Sequence, residues 1–385
     1  MKKHIWLWTS YDLANSLASV TVAFYFSLWL VKERGASDLW VSLPMAIATF
    51  IRLITLPYFG KLSDQMGKRK PFLAVTTTVA AAALMALGWY ASGVDVLTNG
   101  SLAVIVILFS VYQYCFQAAL AFYMAYLADL AVAKSKEAVA GLGVAAGQMG
   151  NIIGLIVALP LAEQSGRPMA LLLGGAMFLV VALPMLIWLP EAKRTSGQAV
   201  MASPKEMLRS LKDIRAVPGL LRYLLVFYLF ADALLTLNAF VSLYLEEVGG
   251  MTDKTKTLVR VIGLLLASVL ILTWVVFIIA LALVTSPVAF GIVASLNGFA
   301  FGALFALSRA YYSDLAPRHR QGEFFGYYVL FERFASMIGP LLWSLVALLF
   351  IDLGADRYRF SVASLAILVA LSYVLLRKVP EPKRL

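Results

Sequence analysis

Gly60-Lys-Leu-Ser-Asp64-Gln-Met-Gly67-Lys68-Arg69-Lys70-Pro71 is a polar island between two apolar runs, 39–60 and 71–91. Each run is long enough to cross a bilayer, which takes about 20 apolar residues. Gly60 and Gly67 allow close backbone approach and positive φ. Asp64 can cap a neighbouring helix N-terminus or pair with a guanidinium. Lys68, Arg69 and Lys70 hold the stretch on the cytoplasmic side, because basic loops are kept inside during insertion. The stretch therefore reads as a tight cytoplasmic turn joining two membrane spans.

The rest of the chain agrees with lipid as its solvent. Of 385 residues, 62% are apolar and 14% charged, against roughly 25% charged in an ordinary soluble domain. Mean hydropathy is +0.85. A soluble enzyme, a disordered chain and a disulfide scaffold are all excluded, since so much apolar surface could not be hidden from water. Apolar runs fall at 5–31, 39–60, 71–91, 101–129, 138–162, 168–189, 221–245, 258–284, 287–310, 323–351 and 357–377. All must be helical, because backbone groups in hydrocarbon have to pair within their own segment. The alternating pattern of a membrane β-barrel is missing. Trp6, Trp8, Trp40, Trp89, Trp188 and Tyr90 stand near run ends, where interfacial anchors are expected. The expected fold class is an all-α membrane protein with about eleven spans, the first of them retained rather than cleaved.

Charge sets the sidedness. With a cytoplasmic N-terminus, the loops of the first six runs carry fifteen Lys and Arg inside and three outside. The net charge of +11 follows from this bias and needs no nucleic acid. The second half does not alternate cleanly. A cytoplasmic tail, with Arg377, Lys378, Lys383 and Arg384, also places Lys254, Lys256 and Arg260 inside, although one run alone separates them from the inside loop at 190–220. Either one crossing is missing between about 221 and 260, which is the favoured reading, or the tail lies outside against its charge. The expected organisation is a six-helix bundle over 1–189, a cytoplasmic linker over 190–220 and a second bundle over 221–385 with about five spans and a basic tail. In the linker, Ser203-Pro204-Lys205-Glu206 reads as a capping box that opens a short amphipathic helix on the inner leaflet.

Catalytic chemistry has little to work with. His4 and His319 lie at cytoplasmic edges, and Cys115 sits in an apolar run as a small hydrophobe. No zinc spacing and no phosphate-binding glycine loop occur. An enzyme is not expected, nor a cofactor or metal, and ATP is not the energy source.

The ordered set Gly-x-Leu-x-Asp-x-x-Gly-Lys-Arg over Gly60–Arg69 resembles the loop 2–3 signature of the major facilitator superfamily. Tyr11-Asp12-Leu-Ala-Asn15-Ser16, Tyr228-Leu-Phe-Ala-Asp232, Ala306-Leu-Ser-Arg309, Gly322-Glu323-Phe324-Phe325-Gly326-Tyr327 and Gly339-Pro340-Leu-Leu-Trp look like the vacuole-effluxer branch. The resemblance implies a two-bundle fold and a gating role for Gly60, Asp64, Gly67 and Arg69. It also implies a small-solute substrate such as an amino acid, and a monomer in a bacterial inner (plasma) membrane. Family members carry twelve spans, many with the glycine turn repeated in the second half. Here that turn and about one span are absent between Met251 and Leu264, the gap that the charge count finds independently.

Polar residues inside spans are costly and so are candidates for function. Asp12 and Asn15 share a face of the first run, and Asp232 lies near the middle of the seventh. A carboxylate in each half suggests a proton or cation site; a helix cap or ion pair is the competing reading. Arg333 can hold an anionic group of the solute or pair with Glu332, Asp12 or Asp232. Arg52 can do likewise or snorkel. Gln113 with Gln117, Gln148 with Asn151, and Asn297 can line a cavity or bond between helices. Gly141, Gly143, Gly147, Gly150 and Gly154 form a small-residue ridge that suits close helix packing. The leading expectation is a proton-coupled secondary transporter working by alternating access. A transport-inactive scaffold or receptor derived from a transporter is the alternative, and the missing span is its support.

Overall fold

The computed structural model describes residues 2–66, 68–130, 136–191, 219–258, 328, 331–332, 335 and 337–379. Among these residues the secondary structure is helical. The first run becomes α1 (Lys2–Thr21) and continues through two wider π-helical segments, Val22–Phe26 and Leu28–Glu33. Then follow α2 (Leu39–Gln65), α3 (Lys70–Ser92), α4 (Asn99–Leu130), α5 (Lys136–Ser165) and α6 (Arg167–Trp188). The later helices are α7 (Leu220–Glu247), α8 (Ile338–Leu349) and α9 (Arg357–Leu376), with a 3-10 turn at Ile351–Asp356 between the last two. Seven of the described helical segments are long and apolar enough to cross a membrane. The runs 258–284 and 287–310 and the 190–220 linker helix lie outside the described residues.

The chain forms two compact units. One comprises Met1–Ala36 with Phe50–Ala199, the other Ser37–Thr49 with Val200–Leu385. The first turns of α2 thus belong to the second unit, which a division by run order at 189 does not anticipate. In the first unit α1 packs on α5 and α6, and α3 on α4 and α6. Its interior is aromatic: Trp8, Trp29, Tyr11, Tyr25, Tyr112 and Tyr123 are fully buried. In the second unit α9 packs on α7 and α8, around Trp343, Tyr244, Tyr328 and Tyr358. Apolar side chains such as Ile107, Val180, Leu349 and Ile367 face outward, as lipid-facing surfaces do.

Three local readings change. Trp6, Trp89 and Trp188 are exposed at helix ends, but Trp8 is buried, its ring stacked on Tyr123 at 4.7 Å. It is a core residue and not an anchor. Gly60 and Asp64 are helical, because α2 runs on to Gln65 before it turns; an apolar helix has no reason to stop at a glycine when its amides are already paired. The run 323–351 is not one continuous helix: Ala335 stands in a turn, Met337 in a bend, and α8 begins at Ile338.

Candidate functional site

In the first unit the polar groups of α1 meet α4 and α5. Asp12 is half-buried next to Tyr123 of α4. Tyr123 stacks on Trp8 on one side and on Tyr11 at 4.8 Å on the other. The Trp8 indole N–H donates to the Tyr123 carbonyl at 3.3 Å, and the Tyr11 and Thr77 hydroxyls are bonded at 2.6 Å. The surroundings of Asp12 are thus stiff and largely apolar. One turn along, the side-chain oxygen of Asn15 is buried and accepts no hydrogen bond among the described residues.

The floor under these groups is α5. A Cβ on Gly143 would collide with the Asp12 carboxylate and with Trp8, and one on Gly147 would come within 3.1 Å of the Ser16 hydroxyl. A Cβ on Gly150 would strike the Leu13 carbonyl, and one on Gly154 would lie 2.7 Å from Val20. The glycine ridge therefore serves close packing of α5 on α1. Gln148 and Asn151 lie on the same helix, where the Asn151 amide donates to the Gln148 side-chain oxygen at 3.3 Å. Gln113 and Gln117 lie half-buried on α4, and Arg52 is buried in α2.

The basic turn is held from a place that sequence reasoning missed. Glu191, just past α6, accepts the Arg69 backbone N–H at 2.6 Å and the Lys70 N–H at 3.0 Å. The Tyr126 hydroxyl donates to it at 3.2 Å. The Lys70 ammonium bonds the carbonyls of Ile187 and Leu189, each at 2.8 Å. A carboxylate thus faces the positive end of α3 and a cation the negative end of α6, the favourable pairing at both termini. The signal available was Pro190-Glu191, an acid set directly after a span and before a basic loop. Arg69 is buried here. Gly67 and the Asp64 side chain lie outside what is described.

In the second unit Asp232 is fully buried. Its carboxylate accepts the Gly339 N–H at 2.7 Å, and the Thr236 hydroxyl donates to its carbonyl at 2.7 Å. Asn297 and Arg333 lie outside the described residues. Asp38, before α2, is a further buried acid that the sequence reading passed over: Tyr358 donates to it at 3.4 Å and Arg357 stands 3.9 Å away. Among the described residues no group of three or more His, Cys, Asp or Glu could hold a metal ion.

The Major Facilitator Superfamily model matches residues 13–271 and 248–385. The chain belongs to the major facilitator superfamily. As a member it is a multi-pass integral membrane protein and a secondary transporter, not an enzyme. It is 25% identical to the uncharacterized MFS-type transporter YxiO of Bacillus subtilis (strain 168), over 97% of this chain and 94% of that one. Its fold is similar to that of the nucleoside transporter NupG, with a TM-score of 0.74 and 14% identity over 98% of this chain and 99% of that one. It is likewise similar to a D-xylose-proton symporter, with a TM-score of 0.73 and 14% identity over 99% of this chain and 98% of that one.

Proposed function

We propose that this transporter moves a small amine-bearing solute, amino acids first among them, by alternating access coupled to protons. The observation that carries the reading is the acceptor pair on α1. The Asp12 carboxylate is half-buried beside Tyr123, and one turn away a buried Asn15 oxygen has no donor among the described residues. A buried acceptor without a donor is unfavourable by about 1–3 kcal/mol, so the place suits a group rich in N–H, such as an ammonium. Asp12 then has two exchangeable states, ionised with solute and protonated without it. Gln148, Asn151, Gln113, Gln117 and Arg52 are candidate wall residues, and Asn297, Arg333 and Asp232 candidate second-half contributors. Gly60, Asp64, Gly67 and Arg69 are the candidate cytoplasmic gate. Kinship with the vacuole-effluxer branch belongs to the same proposal and rests on the sequence blocks alone. A D-xylose-proton symporter among the fold neighbours is consistent with proton coupling.

The test is uptake into proteoliposomes under an imposed pH gradient, with labelled amino acids, nucleosides, sugars and organic anions. Accumulation of an amino acid is expected. Asp12→Asn, which removes the counter-charge for the ammonium, should abolish gradient-driven accumulation and sharply reduce solute exchange across the membrane. An unchanged gradient response in Asp12→Asn ends the assignment of Asp12. Absence of uptake for every amine-bearing solute ends the substrate class.

A further inference from the structure

The break between Ala335 and Ile338 lies on a run that hydropathy reads as a single span. Before it, the Ala335 N–H bonds the Phe331 carbonyl at 3.1 Å, and α8 starts three residues later. A helix start leaves its first backbone donors without partners, and in hydrocarbon no water replaces them. Three positions of this helix start are provided for. Pro340, in the first turn of α8, has no N–H to satisfy. The Gly339 N–H goes to the Asp232 carboxylate at 2.7 Å. The Ile338 amide faces the Tyr228 hydroxyl. Tyr228 and Asp232 lie four residues apart on α7 and so project from one side of it.

Residue choice at the contact is strict. A Cβ on Gly339 would lie 2.9 Å from the Asp232 carbonyl oxygen, 3.1 Å from its carboxylate, and against the Thr236 hydroxyl. Only glycine lets the start of α8 come this close. The contact also lies near the middle of the 28-residue α7, where a loose helix end is least tolerated. From there α8 carries Trp343, about one turn on, into the aromatic cluster at the far end of the unit. Trp343 stacks on Phe240 at 5.0 Å, lies 6.0 Å from the Tyr358 ring, and accepts the Ser361 hydroxyl on its carbonyl at 3.1 Å.

We infer that Asp232 and Tyr228 together cap a broken helix in the second unit, and that Asp232 is a positioning residue that sets the direction of α8. Its acceptor oxygen, and not a proton or solute carried on it, is what this role requires.

The test uses the full chain in lipid nanodiscs and needs no transported solute, so its outcome is separate from that of the uptake assay. Amide hydrogen exchange is followed over 335–342. Spin labels at Leu349 and Ile367, both exposed, report the distance between α8 and α9. Asp232→Ala and Gly339→Ala are each expected to speed exchange by about tenfold or more and to broaden the distance distribution. Asp232→Asn keeps an acceptor oxygen and should match the parent protein in both. Tyr228→Phe, a milder change that preserves folding, should speed exchange at the Ile338 amide several-fold. Unchanged exchange in Tyr228→Phe or in Asp232→Ala overturns the cap. An Asp232→Asn protein that behaves like the alanine variant also overturns it, because charge would then be the property in use.

Discussion

Asp38 shows burial and charge opposed at one residue. Its side chain is almost wholly enclosed next to Arg357, Tyr358 and Trp343. Burial pushes its carboxyl up to about 6 from an ordinary 3.8, against the pull of the Arg357 guanidinium 3.9 Å away. The folded protein therefore holds a proton between those two values that the unfolded chain has released. Stability from this group is greatest in acid, falls as pH rises from about 4 to about 6, and is level above that. Melting temperatures of the detergent-solubilised protein should contain such a falling component, and Asp38→Asn should remove it. Equal pH profiles for the two proteins would refute the assignment. None of this was legible in the sequence, where Asp38 is one more polar loop residue; its partners lie more than 300 positions away. Asp12 was legible, because a carboxylate inside an apolar run is conspicuous wherever it ends up.

At the scale of elements, α5 is shaped by what it lacks. Gly143, Gly147, Gly150 and Gly154 recur at intervals of four, three and four residues and meet α1 along one face. Without side chains the two backbones approach closely, which in lipid replaces the hydrophobic drive that joins helices in water. Gly150→Ala forces a methyl group onto the Leu13 carbonyl and should destabilise the protein by about 1–3 kcal/mol, the usual range for overpacking. Gly93→Ala is the control, since its nearest neighbour is the Tyr90 carbonyl at 3.7 Å. Thermal melts that fail to separate the two variants would remove the packing role. The ridge itself was visible as a pattern, and most helix boundaries fall close to the apolar runs: 71–91 became Lys70–Ser92, and 168–189 became Arg167–Trp188. Run length follows from backbone pairing and hydropathy, which are local. The end of α2 at Gln65 and the π-helical segments in the first run did not follow, since neither alters the apolar pattern.

For the whole molecule the question is sidedness. In the second unit Arg222 donates to the Lys378 carbonyl, and the Ser372 hydroxyl donates to the Val226 carbonyl at 3.0 Å. The start of α7 and the end of α9 thus share one end of that unit, while Glu247 lies at the other end of α7 together with Lys256, whose ammonium bonds Glu246; this corrects the expectation that a cytoplasmic tail places Lys254 and Lys256 on its own side. In a chain with Cys115 replaced, Thr252→Cys and Lys378→Cys should react with an impermeant maleimide from opposite faces, Lys378→Cys from the cytoplasm. Labelling of both from the same face would contradict the arrangement and revive the scaffold alternative.

Composition showed, without coordinates, that this chain uses lipid as its solvent, the ordered residues of one turn pointed to its superfamily, and the spacing of charges gave an expected threading of its first half. These are properties of local sequence: hydropathy over a span, basic residues in a loop, an ordered set of residues in one turn. Tertiary structure alone decided that Trp8 is core and not anchor, that Glu191 holds the basic turn, that Ser37–Thr49 belong to the second unit, and that Asp232 caps a helix 107 residues away. Each of these depends on which distant group completes a hydrogen bond or fills a gap, and that is settled by the packing of helices against one another.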